Sequence, residues 1–475
     1  MKLALVSLDT CDLEPPLGLA YMATYLRKYA NFYDTFIIDK TYEDVMGKIL
    51  KLKPDIIGIS AFTIHYQDAI ELAKEIKEKL EVPIFVGGVH ISSLPYSLSK
   101  YIDIGVLGEG EQTLVELLNV YEKYGKFAKD NLKNIKGLIF RDDDKLVKTG
   151  PREVITPLDS LPIPDRSLFD KRYFRKVRQY DGTFGRSATM LTLRGCPFRC
   201  VFCATTSFWN KIRFNSPEYI LEEVRELQDK YKAERVNIHD DLFTTNRPRM
   251  REIAALFKKE KIDNINFSVQ GHAATLNDEV CQLLKDMNVK WVGFGFEHGN
   301  ERMLKYLKQG SSSVEHNMRA IRLCNKYDLL VTGSIIFGSP TETIGDMRDN
   351  IRFIEYAKQF PNVMDLWTFV MTPFPDTPIW EVAKERGKVS DTDMDWNLLS
   401  HQNINDPMLL DPEIDRKEFK KVFLEGRKRL KYFKMKRVKS LIKTDPMRLV
   451  KQAVKKPRYA ANLLLRRTLL SESKF

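Results

Sequence analysis

Apolar residues in the first quarter of the chain come in short runs that stop at glycine or polar residues, each followed by a helical stripe. "KLALVSL", "DTFIID", "DIIGIS", "VPIFVGG" and "DIGVLGEG" read as strands, β-branched and apolar at their centres. Between them, "PLGLAYMATYLRKY", "YEDVMGKILKL", "YQDAIELAKEIKEKL" and "EGEQTLVELLNVYEKY" carry apolar residues at helical spacing. Strands separated by helix-length crossovers predict a parallel, doubly wound sheet. Ligands of such sheets sit at the carboxyl ends of the strands, where strand order reverses.

A second series begins near Ser187: "ATMLTLRG", "RVNIHDD", "NINFSVQG", "VKWVGFGFEHG", "LLVTGSIIFGSP" and "DLWTFVMTPFP", with helical stretches between. Six such βα units predict a partial (βα)6 barrel, again with its ligands at the strand carboxyl ends. The two series are joined by a hairpin, "GLIFRDDDKLVKTG", and by a connection that Pro157, Pro162 and Pro164 keep extended. The fold class is therefore α/β, divided into a doubly wound domain (1–135), a hairpin and linker (136–186), a barrel (187–390) and an α-helical C-terminal region (391–475).

Composition adds limits. A chain of 475 residues, 43% hydrophobic and 29% charged, has room for two or three domains. No apolar run reaches the roughly 18 residues that a membrane span needs. "MKLALVSLDTCD" reads as a first strand, not a signal sequence, which places the protein in the cytoplasm. Six cysteines in a reducing compartment point to metal or catalysis before disulfides. The net charge of +12 is uneven: residues 421–475 hold 18 Lys+Arg against 3 Asp+Glu, which leaves −3 on residues 1–420.

Three of the six cysteines, Cys196, Cys200 and Cys203, fall in "RGCPFRCVFC", in the loop after the first barrel strand. A structural zinc site wants four closed ligands. The next cysteine, Cys281, sits on the apolar face of a helix, although His239 could complete a Cys3His site. Three thiolates on a four-iron cluster instead leave one iron open to a substrate. Spacing CxxxCxxC, with Phe202 before the last cysteine, resembles the signature of the radical S-adenosylmethionine (SAM) superfamily. The resemblance implies a [4Fe–4S] cluster on the three cysteines, with SAM as the missing ligand. It extends to "HDDLFT", where Asp240 or Asp241 would accept from the methionyl ammonium, and to "GFGFEHG", where Glu297 would meet the ribose or ammonium. "GSIIFGSPTET" would flank adenine with Ser334 and Gly338, beside Phe202, and "TPFPDTP" matches the sixth-strand ending. The bland alternative for the acidic pair is a helix cap. Glu297, in an apolar strand end, requires a partner. Arg194 and Arg199 would contact a carboxylate, neutralise the cluster or stay solvated.

At the strand ends of the first domain stand Ser60, Gly87, Gly88, His90, Gly108, Glu109 and Gly110. Glycines there serve either close ligand approach or tight turns. With "PPLGLAYMATYLRK", they resemble the cobalamin-binding domain that precedes many radical SAM enzymes. No DxHxxG motif occurs, and His65 and His90 lie in other contexts, so the resemblance implies cobalt without a histidine below it.

Together these features imply a cobalamin-dependent radical SAM C-methyltransferase acting on an unactivated carbon and drawing electrons from a donor such as flavodoxin or ferredoxin. A non-methylating cyclase or carbon–carbon coupling enzyme shares the architecture. A zinc-ligated nucleic-acid-binding protein is the reading from another class; few aromatics interleave the tail's charges, which argues against nucleic acid. A methylthiotransferase would carry further N-terminal cysteines, and only Cys11 lies there. In the tail, Leu430, Phe433, Val438, Leu441 and Ile442 recur at helical spacing among cations, and Pro446 and Pro457 break it into pieces. Such pieces suit an anionic membrane surface, and with it a lipid or isoprenoid-like substrate, or else a helical cap on the barrel.

Overall fold

The computed structural model describes residues 1–444 apart from 12, 31, 33, 179–182 and 400–406. Five parallel strands, β1 (Leu3–Ser7), β2 (Thr35–Asp39), β3 (Ile56–Ser60), β4 (Ile84–Gly87) and β5 (Ile104–Val106), build the first sheet. An antiparallel hairpin, β6 (Leu138–Asp142) and β7 (Lys145–Lys148), extends it. The order β2-β1-β3-β4-β5-β6-β7 reverses direction between β1 and β3, which opens a crevice at their carboxyl ends. Every residue of β1 is buried, as expected for a strand covered by helices on both faces.

The expected hairpin pairs with β5, and its Leu138, Ile139 and Phe140 are apolar and buried against the first sheet's core. The linker differs from a simple extended connection: Ile155, Leu158, Leu161, Phe169 and Tyr173 fold back onto Leu17, Tyr21 and Tyr25 of the Leu17–Ala30 helix. Arg27 of that helix pairs with Asp165 at 2.7 Å.

The second sheet begins with β8 (Lys176–Arg178), antiparallel to β9 (Phe184–Met190). A two-stranded ribbon follows, β10 (Leu193–Arg194) and β11 (Arg213–Phe214). Then come β12 (Arg235–Ile238), β13 (Asn266–Gly271), β14 (Val289–Glu297), β15 (Leu330–Phe337) and β16 (Val363–Val370). Strands β9 and β12 to β16 are parallel neighbours in chain order, the open barrel of six βα units. The helices between them start where the sequence supplies a cap: Ser216, Asn246, Asn277, Asn300, Ser313, Thr343 and Thr377 each accept from a backbone N–H of the first turn.

The C-terminal region is divided between the two units. Trp396 is buried against Tyr66 and His90 of the first domain. The Arg416–Thr444 helix lies on β16 and on the Ile344–Ala357 helix, with Phe419, Val422, Phe423, Leu430 and Phe433 in the barrel's core. Leu430 and Phe433 therefore face the barrel and are not available to lipid. The side chains of Val438, Leu441 and Ile442, and both Pro446 and Pro457, lie outside the described residues. Among the described residues, no helix is long and apolar enough to cross a membrane.

Candidate functional site

The cysteine loop leaves β9 and is held by the two acids that end β12. Asp240, buried, accepts from the backbone N–H groups of Thr192 (2.6 Å) and Leu193 (3.1 Å), and also from the Thr192 hydroxyl. Burial pushes its pKa up to about 6, against the pull of Arg249 and these donors. Asp241 accepts from Gly195 N–H and Thr205 Oγ1, both at 3.2 Å, and so ties the two flanks of the loop together. Neither acid caps the next helix, a role taken by Asn246. Asp240 is enclosed among its partners, whereas Asp241 stands beside the cysteines. Val201, between the last two cysteines, bonds to Leu307 and Ile379, at the ends of the elements that follow β14 and β16. Phe202 packs into the same apolar cluster as Val201 and Leu307.

Cys196, Cys200 and Cys203 are half-buried and carry no disulfide. Burial raises the Cys196 thiol and pushes Cys200 up to about 12, while Lys308 works the other way and the neighbouring thiols add to the rise. Thiols so placed would ionise only with compensating positive charge, which metal centres supply. Among the described residues, no three His, Cys, Asp or Glu side chains converge on one point as a single ion would require. His239 lies 3.6 Å from Glu14 of the loop after β1. Three thiols on one loop, with His239 turned to Glu14, make a donor set that fits a group spreading three thiolates over separate metals.

Around the loop stand the ends of β13, β14 and β15. Glu297 closes β14 in a left-handed conformation (φ +62°), buried, with Lys308 Nζ at 3.9 Å and Ser334 Oγ donating at 3.1 Å. Burial raises its pKa, and Lys308 and Ser334 oppose this. Lys308, the partner that Glu297 required, sits one helix later and was not anticipated. His272, after β13, stacks on Phe198 of the cysteine loop, with ring centroids 4.0 Å apart. Neither of its ring nitrogens has a protein partner, and burial drives its pKa down to about 3. A buried, orphaned imidazole beside a buried ammonium calls for a ligand acceptor. A rivet holds this end of the barrel: His298 and Glu342, both fully buried, bond at 2.8 Å, and Asn300 N–H donates to His298 Nδ1. Gly338 (φ +80°) follows β15, and a Cβ there would lie 3.1–3.2 Å from Phe419 and Leu409 of the C-terminal region.

At the first sheet, Ser60, Gly87 and Gly88 line the ends of β3 and β4, and Gly108 (φ +71°) follows β5 with open space where a side chain would be. Gly88 (φ +108°) disfavours any side chain, since a Cβ would meet the Ala61 carbonyl oxygen at 2.6 Å. A Cβ at Gly110 would meet the Met22 side chain of its own domain at 2.8 Å. His90 is fully buried, stacked 3.7 Å from Tyr66, edge-on to Trp396, and within reach of the Thr63 and Ser97 hydroxyls. Aromatic packing claims its ring, and burial lowers its pKa to about 3.

The Glu109 carboxylate turns to the barrel and accepts from Arg194 (2.6 Å), Arg213 (2.9 Å) and Ile155 N–H (2.7 Å). These partners hold its pKa below the usual range against burial. Arg194 reaches Glu111 with its second arm at 2.6 Å. Of the options open to Arg194, the structure shows carboxylate contact, in a buried network; Arg199 is exposed.

Residues 190–354 match the radical SAM superfamily model, and residues 11–118 match the B12-binding domain model. The chain is 32% identical to the uncharacterized methyltransferase PH0819 of Pyrococcus horikoshii, over 85% of this chain and 84% of that protein. It is 26% identical to the anaerobic magnesium-protoporphyrin IX monomethyl ester cyclase of Cereibacter sphaeroides, over 79% of this chain and 61% of the cyclase. Among solved structures, the radical SAM methyltransferase TsrM of Kitasatospora setae, with cobalamin and [4Fe–4S] cluster bound, superposes with a TM-score of 0.67. It is 20% identical, and the match covers 89% of this chain and 85% of TsrM.

Proposed function

The chain belongs to the radical SAM superfamily, in the branch that carries a B12-binding domain ahead of the barrel, and from that premise we propose that it is a C-methyltransferase acting on an unactivated carbon. When bound, the cluster supplies the electron that cleaves SAM and cobalamin carries the methyl group. The chain's own residues hold, orient and shield. Cys196, Cys200 and Cys203 would ligate three irons. Asp241 and Glu297 would receive the ammonium and hydroxyl groups of SAM, while Lys308 and His272 offer positive charge and hydrogen bonding to its carboxylate. Ser60, Gly87, Gly88 and Gly108 would let a corrinoid approach the backbone. Arg199 and Lys211 are exposed around a cavity of about 160 Å³ that reaches Cys196, a cationic face suited to an acidic one-electron donor such as flavodoxin or ferredoxin.

The observation that carries the reading is the meeting of two strand-end sites across the Glu109–Arg194 contact, one in each domain. A small-molecule substrate entering there would lie between the two cofactors. A lipid-like substrate gains no support from Leu430 and Phe433, which belong to the barrel core. Ring formation is the second reading, favoured by the likeness to the Cereibacter sphaeroides cyclase. Anaerobic turnover with SAM, hydroxocobalamin and a low-potential reductant, followed by product mass, separates the two. A product heavier by one methylene supports methylation; a product lighter by hydrogens with no added carbon refutes it.

A further inference from the structure

All three cysteines lie on one excursion of the chain, from Gly195 to Ile212, and its neck is closed by the ribbon in which Arg194 faces Arg213. Both guanidinium groups turn away from the cysteines into the first domain, where they share the carboxylate of Glu109. Arg194 also takes Glu111, and Arg213 donates to the Ile155 carbonyl at 2.8 Å. Trp209, at the far end of the excursion, lies 5.2 Å from Arg194 and 5.8 Å from Arg213, over both cations. The two arginines and two glutamates are all buried.

The position of Glu109 in its own domain is what makes this more than an interdomain brace. It stands between Gly108 and Gly110, at the N-cap position of the Gly110–Tyr124 helix, yet its side chain caps nothing there. Two flanking glycines leave the backbone little intrinsic preference, so the segment that ends β5 is held by its bonds: Gly108 N–H to Ser92 Oγ at 2.9 Å, Leu107 N–H to the Gly137 carbonyl at 2.8 Å, and the Glu109 carboxylate to the barrel. That segment brings Gly108 to the proposed corrinoid cradle, and the tie runs from it to the neck of the cysteine loop.

We propose that Glu109, Glu111, Arg194 and Arg213 are positioning residues that couple the two cofactor sites: a corrinoid on the β5 segment tightens the hold on the cluster, and the cluster tightens the hold on the corrinoid. The proposal rests on the cofactor reading above. Linkage makes the effect reciprocal, and coupling of this kind spans about 5- to 150-fold in affinity. Lysine at position 194 would keep the charge but could not bridge two carboxylates, so it should rescue only in part.

The test uses the full chain under anaerobic conditions, with hydroxocobalamin as probe. Its dissociation constant is measured by absorbance, with and without chemically reconstituted iron–sulfur cluster, in wild type, Arg194→Met, Arg194→Lys and Glu111→Gln. The electron paramagnetic resonance spectrum of the reduced cluster is recorded with and without corrinoid. The expected result is an affinity ratio of about fivefold or more in wild type, near one in Arg194→Met and intermediate in the other two. The corrinoid-induced change in the cluster spectrum should vanish in Arg194→Met. A wild-type ratio in Arg194→Met overturns the proposal. If that variant does not fold, Glu111→Gln, which keeps the Glu109 contact, decides: an unchanged ratio there overturns it. A wild-type chain that binds both groups with a ratio of one refutes the coupling alone, whereas one that binds neither refutes the cofactor reading as well.

Discussion

Replacing Phe433 with alanine should undock the C-terminal helix without unfolding the protein. The ring is fully buried, on a helix that rests on β16 and the Ile344–Ala357 helix. Truncating a buried phenylalanine costs about 3–5 kcal/mol. An element packed on the outside of the barrel can open on its own before the domain does, so most of that loss should fall on local opening. At about 1.4 kcal/mol per factor of ten, the opening constant of the helix should rise by roughly 10²–10⁴-fold. Hydrogen exchange followed by mass spectrometry, on peptides spanning residues 416–436, reads this directly. Leu424, 45% exposed on the same helix, is the control: its change to alanine should cost under about 0.5 kcal/mol. Exchange within about threefold of wild type in Phe433→Ala would refute the docking argument. An equal rise in β1 to β5 would refute the local character of the opening.

Glu297→Gln should weaken SAM binding about 10- to 100-fold in equilibrium dialysis while iron content stays unchanged, since it leaves Lys308 buried without its carboxylate; unchanged affinity removes Glu297 from the SAM site. Gly88→Ala should lower stability by about 1–3 kcal/mol in urea titrations, because φ +108° and the Ala61 carbonyl both oppose a side chain; a wild-type midpoint counts against the described turn. His90 has its folded pKa depressed from 6.5 to about 3 by burial, so the unfolded chain takes up a proton that the folded one refuses. Its contribution is complete above pH 6.5 and is lost at about 1.4 kcal/mol per pH unit as pH falls from 6.5 towards 3. His90→Gln should flatten that part of the pH dependence and leave the axial spectrum of bound corrinoid unaltered; an unchanged slope, or a changed spectrum, contradicts the buried assignment.

Both sheets were legible in the sequence because their signals are local. A run such as "DIIGIS" or "VGFGFE" announces a buried strand within its own few residues, and a strand–helix alternation forces parallel order whatever the neighbours are. The family was legible for the same reason, since the CxxxCxxC spacing that announces it is local and residues 190–354 match the radical SAM model. What stayed hidden depends on partners far along the chain. Glu109 lies between glycines and so suggests a ligand, yet its partners are 85 and 104 residues away. The demand of Glu297 for a partner could be stated, but nothing local marks Lys308 as the residue that answers it. His90 offered an imidazole near a strand end, and only the arrival of Trp396 shows the ring to be core. The hairpin's acidic turn was readable; its apolar triplet's sheet was not, because antiparallel addition at an edge leaves no crossover signal. Leu430 and Phe433 show the same ambiguity, since a cationic amphipathic helix carries one pattern whether its apolar face meets lipid or protein.

The ionic joint between the domains also sets an order of events during synthesis. Glu109 and Glu111 leave the ribosome 83 to 104 residues before the arginines that will neutralise them. At about 5–20 residues per second, the interval is on the order of 5–20 seconds. Within it β1 to β7 are all available, so the first domain can close with the two carboxylates still hydrated on its surface. The ribbon that carries Arg194 and Arg213 then emerges with the cysteines between its strands and docks onto a finished template. A nascent chain whose first 148 residues have cleared the ribosome should accordingly present this anionic patch, and the cysteine loop would be shaped by a surface older than itself.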